Sequence, residues 1–275
     1  MMKSSIVGID GKKGKEISLP RQFTEDFRPD LIKKAVLVMQ SHNIQSFGTD
    51  PGAGKRQSSF ITKRRKAYKT TYGRGQSRTP RKVLSRRGMN FYYVGAFAPN
   101  TVGGRVSHPP KGQKIWDLKI NVQERRKAIR SAIAATMNPL LVKRRGHTTE
   151  SLVIESKIED LKKAKDVEDV LRKIGLGNEL LRVAVTKIRA GKGKGRGRPY
   201  RKKKGPLFVV SKKCALLQAA GNLAGIDICA VKDLNIVLLA PGTDAGRLTI
   251  WSDKALEVME KEHLFYESVK KENKK

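Results

Sequence analysis

Positive charge in this sequence is concentrated in two stretches, whose charged side chains resist burial in a core. Residues 48–114 hold sixteen Lys or Arg and one acid, Asp50; residues 180–226 hold thirteen basic residues and no acid. They contribute +15 and +13 of a net charge of +34. Unpaired charges resist burial, so the charged side chains of both stretches belong on a surface or reach away from one. The rest of the chain is close to an ordinary globular composition. A charge excess of this size repels itself until a polyanion neutralises it. Nucleic acid is therefore the default partner, with an acidic membrane surface second.

The two stretches differ in kind. The first is rich in Gly, Pro, Ser and Thr and has no clear periodicity, so it reads as a long irregular internal loop, a form that is usually functional at such length. Aromatic residues are laced through it and its entry: Phe47, Phe60, Tyr68, Tyr72, Phe91, Tyr92, Tyr93 and Phe97. Arg and Lys can neutralise phosphates while such rings stack on unpaired bases. Its segment MNFYYVGAFAPN (89–100) carries no charge. That segment suits a short strand packed on the body and a neutral loop tip equally well.

The loop opens with FGTDPGAGKRQSS (47–59), which superficially resembles a nucleotide-binding P-loop. The spacing is wrong. The pattern G-x-x-x-x-G-K-[ST] needs glycine five residues before Gly54, where Thr49 stands, and a hydroxyl after Lys55, where Arg56 stands. No apolar stripe at helical spacing follows. The second stretch contains KIRAGKGKGRGRPYRKKKGP (187–206), whose alternating glycines resemble a dinucleotide fingerprint. A fingerprint must open a helix, and Pro199 with the basic run after it cannot form an amphipathic one. Glycine at alternate positions instead lets backbone approach backbone, and each intervening Lys or Arg offers a phosphate contact.

The remainder reads as alternating strands and helices. SSIVGID–GKKGK–EISLP predicts a hairpin. RPDLIKKAVLVMQSH predicts a helix burying Leu31, Ala35, Val38 and Met39. NVQERRKAIRSAIAATM predicts a second helix, with Ile129, Ala132 and Ile133 inward and Arg125, Arg126 and Arg130 largely off that face. SLVIES, GPLFVVS and LTIWS predict strands; DICAVKD and LNIVLLAPG predict strands or strand edges. DVEDVLRKIG predicts a helix with Asp166 as N-cap and Gly175 as its C′ residue. KCALLQAAGNLAG and DKALEVMEKEHLF predict helices, and LLRVAVTKI favours strand at its end. The pattern is α/β, a mainly parallel sheet flanked by helices with a long basic irregular loop extending from it. The expected division is one globular body from 1–47 and 115–267, the loop at 48–114, the Gly/Lys/Arg segment at 187–206 within the body, and a frayed tail at 268–275.

Catalytic constellations are thin. His42, His108, His147 and His263 lie at metal-ligand spacing neither from one another nor from a cysteine. His147 and His108 read as loop or RNA-contact residues. Cys214 and Cys229 sit in apolar surroundings and read as reduced packing residues. No G-x-S-x-G occurs, the first residues lack a signal peptide's apolar core, and the longest apolar runs fall short of a membrane span. The expectation is a cytoplasmic protein without catalytic residues, metal or cofactor, not associated with membrane and not a homo-oligomer. A nucleotide-dependent α/β enzyme and an RNA-binding regulator are the competing readings.

FGTDPGAGKR, GGRVSHPP, RSAIAAT, KIRAGKGKGRGRPYRKKKGPL, GNLAGIDICAVKDLNIVLLAPG and GRLTIW occur in that order across most of the chain. Together they closely resemble the archaeal and eukaryotic type of the large-subunit ribosomal protein four family; the length suits an archaeal member. The resemblance implies an α/β body on the outer face of the large subunit and a long loop threading ribosomal RNA to help line the nascent-peptide exit tunnel. It implies large-subunit RNA, neighbouring ribosomal proteins and the nascent polypeptide as partners, and a role in assembly. Implied RNA contacts are Lys55, Arg56, Arg105, Arg189, Lys192, Lys194, Arg196, Arg198, Arg201, Lys202 and Lys203, to which the loop adds Arg74, Arg78, Arg81, Arg86 and Arg87. Tunnel-lining candidates are Arg86, Arg87, Met89, Asn90 and Phe91.

Overall fold

The computed structural model of the chain describes residues 2–266; the tail expected at 268–275 lies outside the described residues. The chain divides into two compact units, one formed by Met1–Asn43 with Asp117–Lys275 and the other by Ile44–Trp116.

In chain order, the first unit opens with the antiparallel strands β1 (Lys3–Val7) and β2 (Lys13–Ser18) and helix α1 (Pro29–Ser41). The second unit contributes β3 (Arg81–Arg87) and β4 (Asn90–Gly95). The first then resumes with α2 (Val122–Thr136), α3 (Pro139–Arg144), β5 (Leu152–Ile154), α4 (Ala164–Lys173) and α5 (Gly177–Ala184). Two-residue strands β6 (Lys187–Ile188) and β7 (Tyr200–Arg201) precede β8 (Leu207–Val210), α6 (Leu216–Ala220) and β9 (Asp227–Ala230). A single turn α7 (Ile236–Leu239), strand β10 (Thr249–Ser252) and helix α8 (Asp253–Lys261) complete it.

Six strands form the main sheet in the order β2-β1-β5-β10-β8-β9, and every pairing except β1–β2 is parallel. Register explains the core. Val153 lies beside Ile6 and Trp251, Trp251 beside Val209, and Val209 beside Cys229. Because successive side chains alternate between faces, this row faces one way, onto Ile32, Ala35, Ala132, Ile133, Leu256 and Met259 from α1, α2 and α8. The neighbouring row, with Ile154, Phe208 and Ile250, faces the other way onto Val167, Leu171, Leu216 and Ala220 from α4 and α6. Both faces are covered, so β8 and β10 are buried along their whole length and LFVV shows no alternation.

Local signals decide the element ends. The chain leaves α4 through a Schellman arrangement: Gly175 N–H donates to Arg172 O at 3.1 Å and Leu176 N–H to Leu171 O at 2.9 Å. Gly175 is the expected C′ residue, but Asp166 lies in the first turn and Lys163 takes the N-cap position. Helix α1 buries Ile32, Ala35, Val36 and Val38, while Leu31 and Met39 pack at its margin. LNIVLLAPG, expected as a strand or strand edge, contains the helical turn α7. Asn235 accepts a hydrogen bond from Leu238 N–H at 3.0 Å and starts the turn as an N-cap does. LLRVAVTKI divides between α5 and β6, and the helix expected from KCALLQAAGNLAG shortens to α6.

Candidate nucleic-acid interface

The first basic surface belongs to the unit Ile44–Trp116. Its opening stretch is a turn stapled to the returning chain. Thr49 N–H donates to Pro110 O at 3.0 Å, and Asp50 accepts from Gly52 N–H at 2.9 Å and also pairs with Arg56. A Cβ on Gly48 would lie 2.3 Å from the Gly112 nitrogen, and one on Gly54 2.5 Å from the Arg105 nitrogen. Gly54 also has φ +72°, a left-handed conformation that strains other residues. The glycines of GTDPGAG therefore permit two chain segments to cross. No helix follows, so the stretch lacks the frame of a nucleotide-binding loop.

Beyond this crossing stands a β-hairpin, β3–β4, in a region expected to be irregular apart from the strand that was one of two readings of 89–100. It turns at Gly88 and Met89, with Arg87 paired to Asn90. One of its faces carries a ladder of rings and cations. Tyr68 meets Phe91 edge-on at 5.1 Å, and Phe91 meets Tyr93 at 6.2 Å. The Arg86 guanidinium lies 5.2 Å from the Tyr68 ring and donates to Tyr68 Oη and Gly88 O, each at 3.0 Å. Arg81 sits over Tyr93 at 5.3 Å and donates to Ser77 O at 2.6 Å. The opposite side exposes Leu84, Tyr92 and Val94, and Tyr92 is 67% accessible.

The same pairing recurs outside the hairpin. Lys69 covers Phe60, Arg78 covers Tyr72, Arg105 covers Phe97, and Lys114 covers Trp116, which stacks on Phe47. Many rings that could receive unpaired bases thus already hold a protein cation, each worth about 0.5–1 kcal/mol at exposed sites. Tyr92 is an exception. Arg86 and Phe91 meet on the ladder, while Arg87, Met89 and Asn90 occupy the hairpin end. Among the described residues, Lys55, Arg74 and Arg87 make no protein hydrogen bond or ion pair through their side chains, which leaves them available to anions.

The second basic surface is a projecting arm on the other unit. β6 and β7 form its stem, with Lys187 opposite Arg201 and Ile188 opposite Tyr200. Arg189, expected at an RNA contact, also braces the arm. Its Nε donates to Arg198 O at 3.2 Å, its Nη2 to Tyr200 O at 3.3 Å, and its backbone N–H to Pro199 O at 2.7 Å. Lys192, Lys194, Arg196 and Arg198 lie around the resulting turn, where Arg196 and Arg198 N–H groups both reach Gly193 O. Arg201, at the end of β7, and Lys202 and Lys203, just beyond it, are exposed.

The arm is rooted in buried charge that the sequence did not advertise. Arg247 is wholly buried; it donates to Gly205 O at 2.8 Å and Leu238 O at 3.0 Å and pairs with Asp227 at 2.7 Å. Burial lowers the Arg247 pKa despite Asp227, which works to raise it. Burial likewise tends to raise that of Asp227, yet Lys204 and Arg247 hold it below its ordinary value.

A second anchor is Glu179, also wholly buried. His147 Nδ1 lies 2.7 Å from its Oε1, and Arg182 grips both carboxylate oxygens at 2.5 and 2.8 Å while donating to Lys204 O at 2.8 Å. Burial raises the Glu179 pKa, but hydrogen bonds and charges from His147 and Arg182 prevail and take it to about 2. His147, read from sequence as a loop or RNA-contact residue, is therefore a buried partner of a carboxylate. The only advance signal was Glu179 at i,i+3 from Arg182 inside an amphipathic helix.

Cys229 lies in the core, where burial pushes its thiol up to about 12, and burial also raises that of Cys214. Among the described residues no group of His, Cys, Asp or Glu is arranged to hold a metal, and no helix is long and apolar enough to cross a membrane.

Residues 17–262 match the model of the Ribosomal protein L4/L1 family. The chain is 46% identical over 268 residues to a protein of Nanoarchaeum equitans named large ribosomal subunit protein uL4, covering 96% of this chain and all of that one. The proteins of the same name from Archaeoglobus fulgidus and Methanocaldococcus jannaschii are each 44% identical. Those alignments cover 94% and 93% of this chain and 98% and 97% of the relatives.

Proposed function

Since the chain belongs to the Ribosomal protein L4/L1 family and is of its archaeal type, a component of the large ribosomal subunit and not an enzyme, we propose that its two basic surfaces bind large-subunit ribosomal RNA. On this reading the body is an anchor. The unit Ile44–Trp116 threads between RNA helices, and its hairpin end, with Arg86, Arg87, Met89, Asn90 and Phe91, helps line the path of the nascent polypeptide. Neighbouring ribosomal proteins are further partners, and cross-bridging separate RNA helices assists assembly.

The observation that carries the reading is the segregation of charge: Lys192, Lys194, Arg196 and Arg198 project on a braced arm, and residues 180–226 contain no acid to neutralise them. Phosphate contacts of this kind set position and affinity, while glycines let backbone approach backbone. The sign and density of the charge suit an RNA phosphate backbone, and the opening stretch offers no nucleotide-binding frame.

The test is sedimentation from cells. The native protein should travel with large ribosomal subunits through a moderate salt wash, and a photoreactive group at Met89 should crosslink to RNA or to an arrested nascent chain. Recovery only as free protein would refute the assignment to RNA. Particle association without any crosslink from Met89 would refute the tunnel placement alone.

A further inference from the structure

We infer that the unit Ile44–Trp116 holds a pocket for a single unstacked nucleobase, recognised by apolar walls and not by phosphate contacts. The pocket is a cleft of about 680 Å³ between the glycine-rich opening turn and the returning chain. Pro51, Ala53, Val106, Pro109 and Pro110 line it. In a stretch with sixteen cations and one acid, an apolar concavity is the exception. Its volume falls in the range of small-ligand sites, about 300–1,000 Å³. A base with its sugar fits such a space; a duplex, whose rings are already stacked and paired, offers no free ring face to fill it.

Three observations point to a base. First, the walls stand ready. Thr49 N–H donates to Pro110 O, Ala53 N–H to Asp50 O and Lys55 N–H to Gly52 O, each at 3.0 Å, and Lys114 N–H to Lys111 O at 3.1 Å. The close approaches of Gly48 to Gly112 and of Gly54 to Gly104 fix how far apart the two segments lie. A preformed site spends little entropy on ordering when its ligand arrives. Second, the apolar surface is open. Val106 is 62% accessible, and Pro51, Ala53 and Pro110 are also exposed. The rings of this unit are less free: Lys69 covers Phe60, Arg78 covers Tyr72, and Arg105 covers Phe97. Covering the pocket walls with a flat heterocycle removes apolar surface from water on both sides.

Third, the polar groups at the pocket suit a nucleotide. Asp50, the acid in the lining, is neutralised by Arg56 and accepts from Gly52 N–H, so it repels no anion strongly. Gln113 also lines the pocket and makes no side-chain hydrogen bond among the described residues. Its amide offers a donor and an acceptor to a base edge. A polypeptide occupant would need acids of its own to approach this unit, whereas an RNA strand brings both the anions and the ring. The assignment rests on the RNA-binding reading and adds a contact that charge alone does not supply.

The full chain is titrated with uncharged nucleosides at millimolar concentration and followed by amide NMR. Signals of Gly54, Gly104 and Gly112 should shift with at least one nucleoside and stay in place with ribose 5-phosphate or pyrophosphate. Val106→Trp fills the pocket and keeps every cation. It should abolish the shifts and weaken affinity for large-subunit RNA about tenfold, the worth of one stacked base. The slope of log K on log salt should not change, because no phosphate contact is lost. Ala53→Leu, at a second exposed position, should act in the same direction, and neither variant should move the thermal transition of the body. In native large subunits a photoreactive group at Val106 should crosslink to one RNA nucleotide. A crosslink to protein, or shifts that pyrophosphate reproduces, would overturn the base pocket. So would absent nucleoside shifts with unaltered RNA affinity in both variants; under a steep wild-type salt slope, RNA binding itself would stand. A flat slope in the wild type would overturn both.

Discussion

The two basic regions hold similar charge by different means. In Ile44–Trp116 the cations are supported locally. Arg86, Arg81, Arg78, Lys69 and Arg105 each lie over an aromatic ring of the same unit, and the hairpin's pleat supplies the ladder. The arm at 187–206 lacks any such ring stacking and depends on its root, where Arg247 and the Glu179–Arg182 pair grip the carbonyls of Gly205 and Lys204. Many weak contacts at an exposed site tolerate the loss of one. A root made of buried charges does not, because a partner left alone keeps its full desolvation cost.

The largest effect should fall on affinity. Converting Lys192, Lys194, Arg196 and Arg198 together to Gln should flatten the salt dependence of RNA binding by about 3 to 4 in slope, with the thermal transition of the body unchanged. Loss of that transition would mean the arm's charges are structural, against the contrast drawn above. Next in size, Arg247→Ala should destabilise the body by about 3 kcal/mol or more in denaturant unfolding, since the Gly205 and Leu238 carbonyls lose a donor and Asp227 is left with Lys204 alone. An effect below about 1 kcal/mol would show that the root is not the arm's support.

Acid should expose the Glu179 anchor. Its folded pKa is depressed, so its contribution is complete above the ordinary value of 4.5 and is lost as pH falls toward about 2. The size is on the order of 3 kcal/mol. Glu179→Gln should be less stable than wild type near neutral pH, and the gap should close across that acid window. A gap that stays constant would remove Glu179 from the linkage. The smallest effect belongs to the ladder: Arg86→Ala should lower protection of hairpin amides by about 1 kcal/mol in hydrogen exchange and leave the body alone. Collapse of protection throughout Ile44–Trp116 would show that this region too depends on single residues.

Much of the body was legible because burial on both faces leaves continuous apolar runs. LFVV and TIWS read as strands, and α1 and α2 showed their stripes. LNIVLLAPG failed for the same reason, since a short apolar run does not separate a buried strand from a helical turn; Asn235 was the unused clue. Strand β4 was one of two readings of its uncharged segment, but its partner β3 was hidden by charge. Arg81, Arg86 and Arg87 interrupt the apolar alternation that marks a strand, although Gly88 in a two-residue turn before FYYV is a hairpin signal. The exposed basic residues could be found by counting. The groups that position them could not, because His147 and Glu179, or Arg247 and Asp227, meet only through the fold.

The central claim is that both basic regions are surfaces for an RNA backbone. It is tested most directly by the equilibrium affinity of the intact chain for large-subunit RNA over a range of salt. If about eight of its cations meet phosphates, log K should fall against log salt with a slope near −7. A slope near zero would contradict the account.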